Sequence, residues 1–184
     1  ASELESQTGA LVRMARAATV SVPTHEFIYA SLLPQEKKAR FLEIQERLAV
    51  LTSRFSDNLL DATNDFALCI EDPKELAGLP QDALEAAREA AAKDARPGWK
   101  FTLHAPSYLP VMQYADRRGL REKMYRAYVT RSAEFGKPEW DNTRLVSEIL
   151  QLRLEEALLL GYRNYAEVSL EPKMADSPQQ VLDF

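Results

Sequence analysis

The stretch RFLEIQERLAVLTSRFSDNLLDAT, residues 40–63, decides the class of fold. Phe41, Ile44, Leu48, Leu51, Phe55, Leu59 and Ala62 recur at spacings of three and four. That spacing lines up one apolar face on a long amphipathic helix. Glu36, Lys37, Lys38, Glu43, Glu46 and Arg47 then fall on its wet sides. The same period returns in residues 141–160, where Asp141 caps a second long helix and Leu145, Ile149, Leu152 and Leu159 lie along one side. Glu156 interrupts that side with a carboxylate, and Gly161 supplies a C-terminal stop.

Between these helices the pattern shortens. Phe66, Leu68 and Ile70 alternate with smaller residues, as do Trp99, Phe101 and Leu103, which predicts two short strands able to pair. Asp72-Pro73 opens a short helix, with Asp as cap and Pro where its missing N–H is not needed, and Gly78 ends it. A helix from Pro80 runs through ALEAAREAAAKD and breaks at Arg96-Pro97-Gly98. Pro106 opens the next, and Leu120, Met124, Ala127 and Tyr128 form an apolar stripe in a helix expected to reach Glu134. Ser177-Pro178-Gln179-Gln180 has the form of a capping box, followed by the start of an apolar pattern at Val181, Leu182 and Phe184. The fold class is mostly α, a multi-helical lobe with one short two-stranded β element.

Composition narrows the function. The chain has 184 residues, 46% hydrophobic and 28% charged, with a net charge of -5. That acidic balance disfavours a general nucleic-acid binder, which needs a basic stripe. Arg117, Arg118, Arg121, Arg126 and Arg131 interleave with tyrosines, but Glu122 and Glu134 break up the positive run. No run of eighteen apolar residues is present, so no membrane-spanning helix is expected. Cys69 is the single cysteine and reads as a structural thiol, which leaves neither an internal disulfide nor a multi-cysteine metal site.

Catalytic constellations are hard to find. A zinc hydrolase of the His-Glu-x-x-His type needs two histidines one helical turn apart, with a glutamate beside the first as base. The chain has only His25 and His104. His25 is followed by Glu26, but Tyr29 occupies the position four residues on. Ser107 follows Pro106 at a helix start, where a hydroxyl reads as a cap. There is no Gly-x-Ser-x-Gly elbow and no glycine loop to cradle phosphate. No catalytic residue and no metal ligand is assigned. Residues 1–33 do not match the rest and read as a leader or a divergent N-terminus, mildly like a transit segment in ALVRMARAATVSV but with Glu3 and Glu5 against that reading.

Residues 33–184 resemble the thimet oligopeptidase family of zinc metallopeptidases, and the oligopeptidase A branch most. The resemblance is carried by residues 40–63, by ELAGLPQDAL (75–84), and by APSYLPVMQYADRRGLREKMYRAYVTR (105–131). WDNTRLVSEILQLRLEEALLLGYRNYAEVSL (140–170) and KMADSPQQVLDF (173–184) complete it, in order and with compatible spacing. It implies a fragment of a larger helical zinc peptidase fold, in which two lobes flank a deep channel that admits short peptides and excludes folded proteins. Zinc would be held by a His-Glu-x-x-His helix and a further glutamate lying downstream of the matched region. Residues 34–184 would then be part of the helical N-terminal lobe, supplying scaffold or channel wall and inactive alone. Tyr108, Tyr114 and Tyr128 are the candidates for a substrate-channel surface.

The implied location is cytoplasmic, or organellar if residues 1–33 are a transit segment. The implied partners are short peptides, with no nucleic acid and no membrane, and with self-association of a piece that exposes apolar surface. The alternative is a free-standing helical protein-interaction module without catalysis. A third reading, a new active site at His104 or Cys69, has little support in the sequence.

Overall fold

The structure is a computed structural model and describes residues 33–184. The readings made above on His25 and on the leader lie outside the described residues. These form seven α-helices and one two-stranded sheet. In order they are α1 (Gln35–Asp65), β1 (Leu68–Ile70), α2 (Gln81–Lys93), β2 (Trp99–Phe101), α3 (Ala105–Tyr114), α4 (Arg118–Val129), α5 (Thr143–Leu159), α6 (Tyr165–Leu170) and α7 (Pro178–Asp183). Short 3-10 turns stand at Pro73–Leu76 and Pro138–Trp140. The chain divides into two compact units, one of residues up to Thr52 with Val146–Phe184, the other Ser53–Leu145.

In the first unit α1 buries Phe41, Ile44 and Leu51, members of the predicted face. Arg40 and Arg47 each fork onto one carboxylate, Glu155 at 2.6 and 2.8 Å and Glu148 at 2.6 and 2.9 Å. Such bidentate pairs fix register through their geometry, although exposed ion pairs contribute little energy. The interruption at Glu156 is real: the side chain is buried and accepts from Gln45 Nε2 at 2.8 Å. At Ser177 the predicted cap forms, but the reciprocal bond goes one residue further back, to Asp176. Ser177 Oγ accepts from Gln180 N–H at 3.2 Å, and Gln180 Oε1 reaches back to Asp176 N–H at 2.7 Å.

The second unit holds the larger core. β1 and β2 pair antiparallel, with Leu68 opposite Phe101 and Ile70 opposite Trp99. Both strands are shorter than expected, because Phe66 and Leu103 pack outside the ladder. Ile70, Leu76, Phe101, Val111, Leu120 and Met124 meet beneath α2, α3 and α4. A buried amide pair closes the other end: Asn58 Nδ2 donates to Asn142 Oδ1 at 2.8 Å, and Asn142 Nδ2 to the Phe55 carbonyl at 3.0 Å. Helix α4 ends at Val129 rather than at Glu134. Arg131 Nε takes the Tyr128 carbonyl at 2.9 Å, the acceptor that a continuing helix would offer to Ser132 N–H, and Ser132 turns to φ 52°.

Candidate functional site

Tyr108 lies early in α3 and Tyr128 near the end of α4, so the turn between the two helices decides whether they meet. That turn is held by Gly78, whose φ of +88° opens a left-handed bend that a side chain would strain. A Cβ there would stand 2.7 Å from Asp116 Oδ1 and closer still to the Tyr114 carbonyl oxygen. The neighbouring Ala77 carbonyl accepts from Asp116 N–H at 2.8 Å, tying the α3–α4 junction to the core. With the junction set, the two helices run beside each other and bring Tyr108 to Tyr128. Their rings stack with centroids 4.3 Å apart and planes 18° from parallel.

Arg131 completes the stack. Its guanidinium lies 3.8 Å from the Tyr128 ring centroid, and Nη1 donates to Thr63 Oγ1 at 3.0 Å. The Thr63 hydroxyl in turn donates a hydrogen bond to the Leu59 carbonyl at 2.7 Å. The result is a three-layer arrangement, Tyr108 on Tyr128 on Arg131, with the last layer clamped to α1. Cation–π contact and ring stacking both favour this order. Tyr108 packs on the core and is half-buried, while Tyr128 is 36% exposed. Burial pushes the Tyr108 phenol above the usual tyrosine range, helped by Tyr128 and Tyr125 and opposed by Arg131. The phenol therefore stays neutral at physiological pH, able both to donate and to accept a hydrogen bond. A half-exposed aromatic face with a neutral hydroxyl suits contact with a peptide side chain or amide. Tyr114 is not part of the stack; it lies at the far end of α3 and is 53% exposed.

The remaining residues singled out in the sequence have structural surroundings. Ser107 does not cap α3. That place belongs to His104, with no side-chain cap, and Ser107 Oγ instead accepts from Thr102 N–H at 2.9 Å. The serine lies inside the first turn, so its hydroxyl reaches back to the end of the strand. His104 is exposed. Cys69 is half-buried on β1, with Arg96 Nη1 3.4 Å from its sulfur. Among the described residues no group of three His, Cys, Asp or Glu side chains converges to hold a metal. The described residues thus offer no three-ligand set for the zinc that the family resemblance implies. Arg131 is the member of the site that sequence reading missed. Its signal was present as a cation three residues after Tyr128, but its partner Thr63 lies 68 positions away.

Residues 111–184 match the model of Peptidase family M3. Over 154 residues the chain is 53% identical to oligopeptidase A of Haemophilus influenzae and 51% identical to oligopeptidase A of Escherichia coli. Each alignment covers 83% of this chain and 23% of the relative. The organellar oligopeptidase A of Arabidopsis thaliana is 47% identical over 150 residues, covering 78% of this chain and 19% of the relative. The chain thus spans under a quarter of the length of these curated relatives. With about half of its residues shared over most of its length, the chain belongs to the thimet oligopeptidase and oligopeptidase A family.

Proposed function

We propose that this chain serves a zinc-dependent oligopeptidase as scaffold and channel wall, and that the zinc site and the hydrolysis of short peptides belong to residues beyond those described. The observation that carries the proposal is the 53% identity to an oligopeptidase A across 83% of the chain. The Tyr108–Tyr128 face is the part of the wall that meets peptide, with Arg131 holding it rigid, and Tyr114 at the far end of α3 is a separate wall candidate. The peptides are short and the setting is cytoplasmic. No described helix is long and apolar enough to cross a membrane.

The test places Tyr108→Ala and Tyr128→Ala in the complete gene product and follows cleavage of quenched-fluorescent peptides of graded length. A wall residue contacts substrate before and during the reaction alike, so KM should rise about threefold or more while kcat changes little. Unchanged KM for every peptide would remove the tyrosines from the channel.

A second reading, a helical interaction module, has one observation of its own. Val146, Leu150, Leu154 and Leu158 stand one turn apart along α5 and are 40–59% exposed, while the same helix buries Glu156. A partner seated on that ridge, with no hydrolysis by the complete gene product, would favour it.

A further inference from the structure

A second place on the Ser53–Leu145 unit has the chemistry of a binding site and shares no residue with the Tyr108–Tyr128–Arg131 stack. One face of α4 carries Arg118, Arg121, Glu122, Tyr125, Arg126 and Val129, and Met112 of α3 walls it to make an open cleft of about 550 Å³. That is the size of a small-ligand or peptide site.

Its charge is unbalanced. Arg126 Nε pairs with Glu122 Oε1 at 2.9 Å. Arg121 is held by main-chain oxygens, those of Ala115 and, at 3.2 Å, Asp116, which orient the guanidinium without neutralising it. Arg118 has no carboxylate partner among the described residues and is exposed. Three arginines and one glutamate thus leave two positive charges in a chain whose net charge is -5. Arg118 is also the first residue of α4, and the first turn holds no acid. Cations there add to the positive end of the helix dipole instead of offsetting it. Beside the charges, Met112, Tyr125 and Val129 supply apolar surface.

We propose that this cleft binds a short acidic peptide, a side-chain carboxylate settling between Arg118 and Arg121 and an apolar neighbour resting on Met112, Tyr125 and Val129. Guanidinium groups three residues apart on a helix share one face and can take a carboxylate together. The site rests on the cleft's own chemistry and does not depend on hydrolysis.

The experiment is fluorescence anisotropy with the chain as it stands. The probe is a rhodamine-labelled, C-terminally amidated peptide Glu-Glu-Leu-Glu-Glu, with Gln-Gln-Leu-Gln-Gln, amidated or with a free C-terminus, as comparisons. The acidic peptide should bind about tenfold or more tightly than either glutamine peptide, since charge-assisted contacts are lost in the latter. Arg118→Glu should weaken it by at least about tenfold, while Arg54→Glu, elsewhere on α1, should leave it within about twofold. The loss cannot be put down to unfolding, because glutamate at the first helical position favours the helix. Three results would each overturn the site: no binding of the acidic peptide, equal binding of a glutamine peptide, or full affinity in Arg118→Glu.

Discussion

Removing either ring of the Tyr108–Tyr128 stack should cost more than its share of buried surface, and a double-mutant cycle isolates the excess. The rings are 4.3 Å apart and 18° from parallel, a geometry worth about 0.5–1.5 kcal/mol beyond area burial. Tyr128→Ala also loses the Arg131 contact at 3.8 Å, about 0.5–1 kcal/mol at an exposed site. Partial burial of the ring adds about 1 kcal/mol, so the single change should destabilise by roughly 2–3.5 kcal/mol. Tyr108→Ala should lose the stack and its own contact with the core. The Arg131 contact is absent from both chains that lack Tyr128, so it cancels from the cycle. The coupling between the two changes should therefore be about 1 kcal/mol, near the stack alone. Urea unfolding read by tryptophan fluorescence is the assay. Trp99 and Trp140 are the only tryptophans and both lie in the Ser53–Leu145 unit, so the signal reports the unit that holds the stack. Tyr108→Phe should keep the coupling. A coupling below about 0.3 kcal/mol, within the scatter of independent sites, would refute the claim that the rings support each other.

Gly78→Ala forces a side chain into a positive-φ bend against Tyr114 and Asp116, and should lower the unfolding free energy measured in urea by more than the roughly 1 kcal/mol typical of a strained backbone position. Arg47 and Arg40 hold the Glu148 and Glu155 carboxyls below their ordinary value of 4.5. A depressed carboxyl stabilises the fold above its unfolded value and loses that contribution as pH falls through the folded one. Helix content followed by circular dichroism should therefore decline on acidification below about pH 4.5, and Arg40→Ala with Arg47→Ala should flatten that dependence. Leu150→Gln with Leu154→Gln removes part of the exposed α5 ridge, so binding of a hydrophobic dye and any self-association should fall while the thermal midpoint stays within a degree or two. A monodisperse parent chain that binds no such dye would count against the ridge as an interaction surface.

Local periodicity made most of the elements readable. The three-and-four spacing of α1, the Asp72-Pro73 start, the bend at Gly98 with φ +79° and the cap at Ser177 each depend on neighbours within one turn of the chain. The site was only half legible for the same reason. Tyr108 and Tyr114 share a helix, but six residues turn them roughly 240° apart, so Tyr114 could not join a stack formed by Tyr108. Tyr108 and Tyr128 meet only because Gly78 and Ala77 fix the α3–α4 junction, a contact made across more than thirty positions. The early end of α4 was hidden too. It depends on Arg131 taking the Tyr128 carbonyl, and that arginine is in turn held by Thr63. On α5 the side read from Leu145, Ile149, Leu152 and Leu159 is the covered one, with Ile149 and Glu156 buried, whereas the second helical row at Val146, Leu150, Leu154 and Leu158 stays exposed and was not read from the sequence.

The most direct test sets the purified 184-residue chain beside the complete product of its gene, both supplied with zinc, against a quenched-fluorescent peptide of about eight residues, a length short enough for a restricted channel. The account predicts no cleavage by the 184 residues and chelator-sensitive cleavage by the complete product. Zinc-dependent cleavage by the 184 residues alone, or none by the complete product, would contradict it.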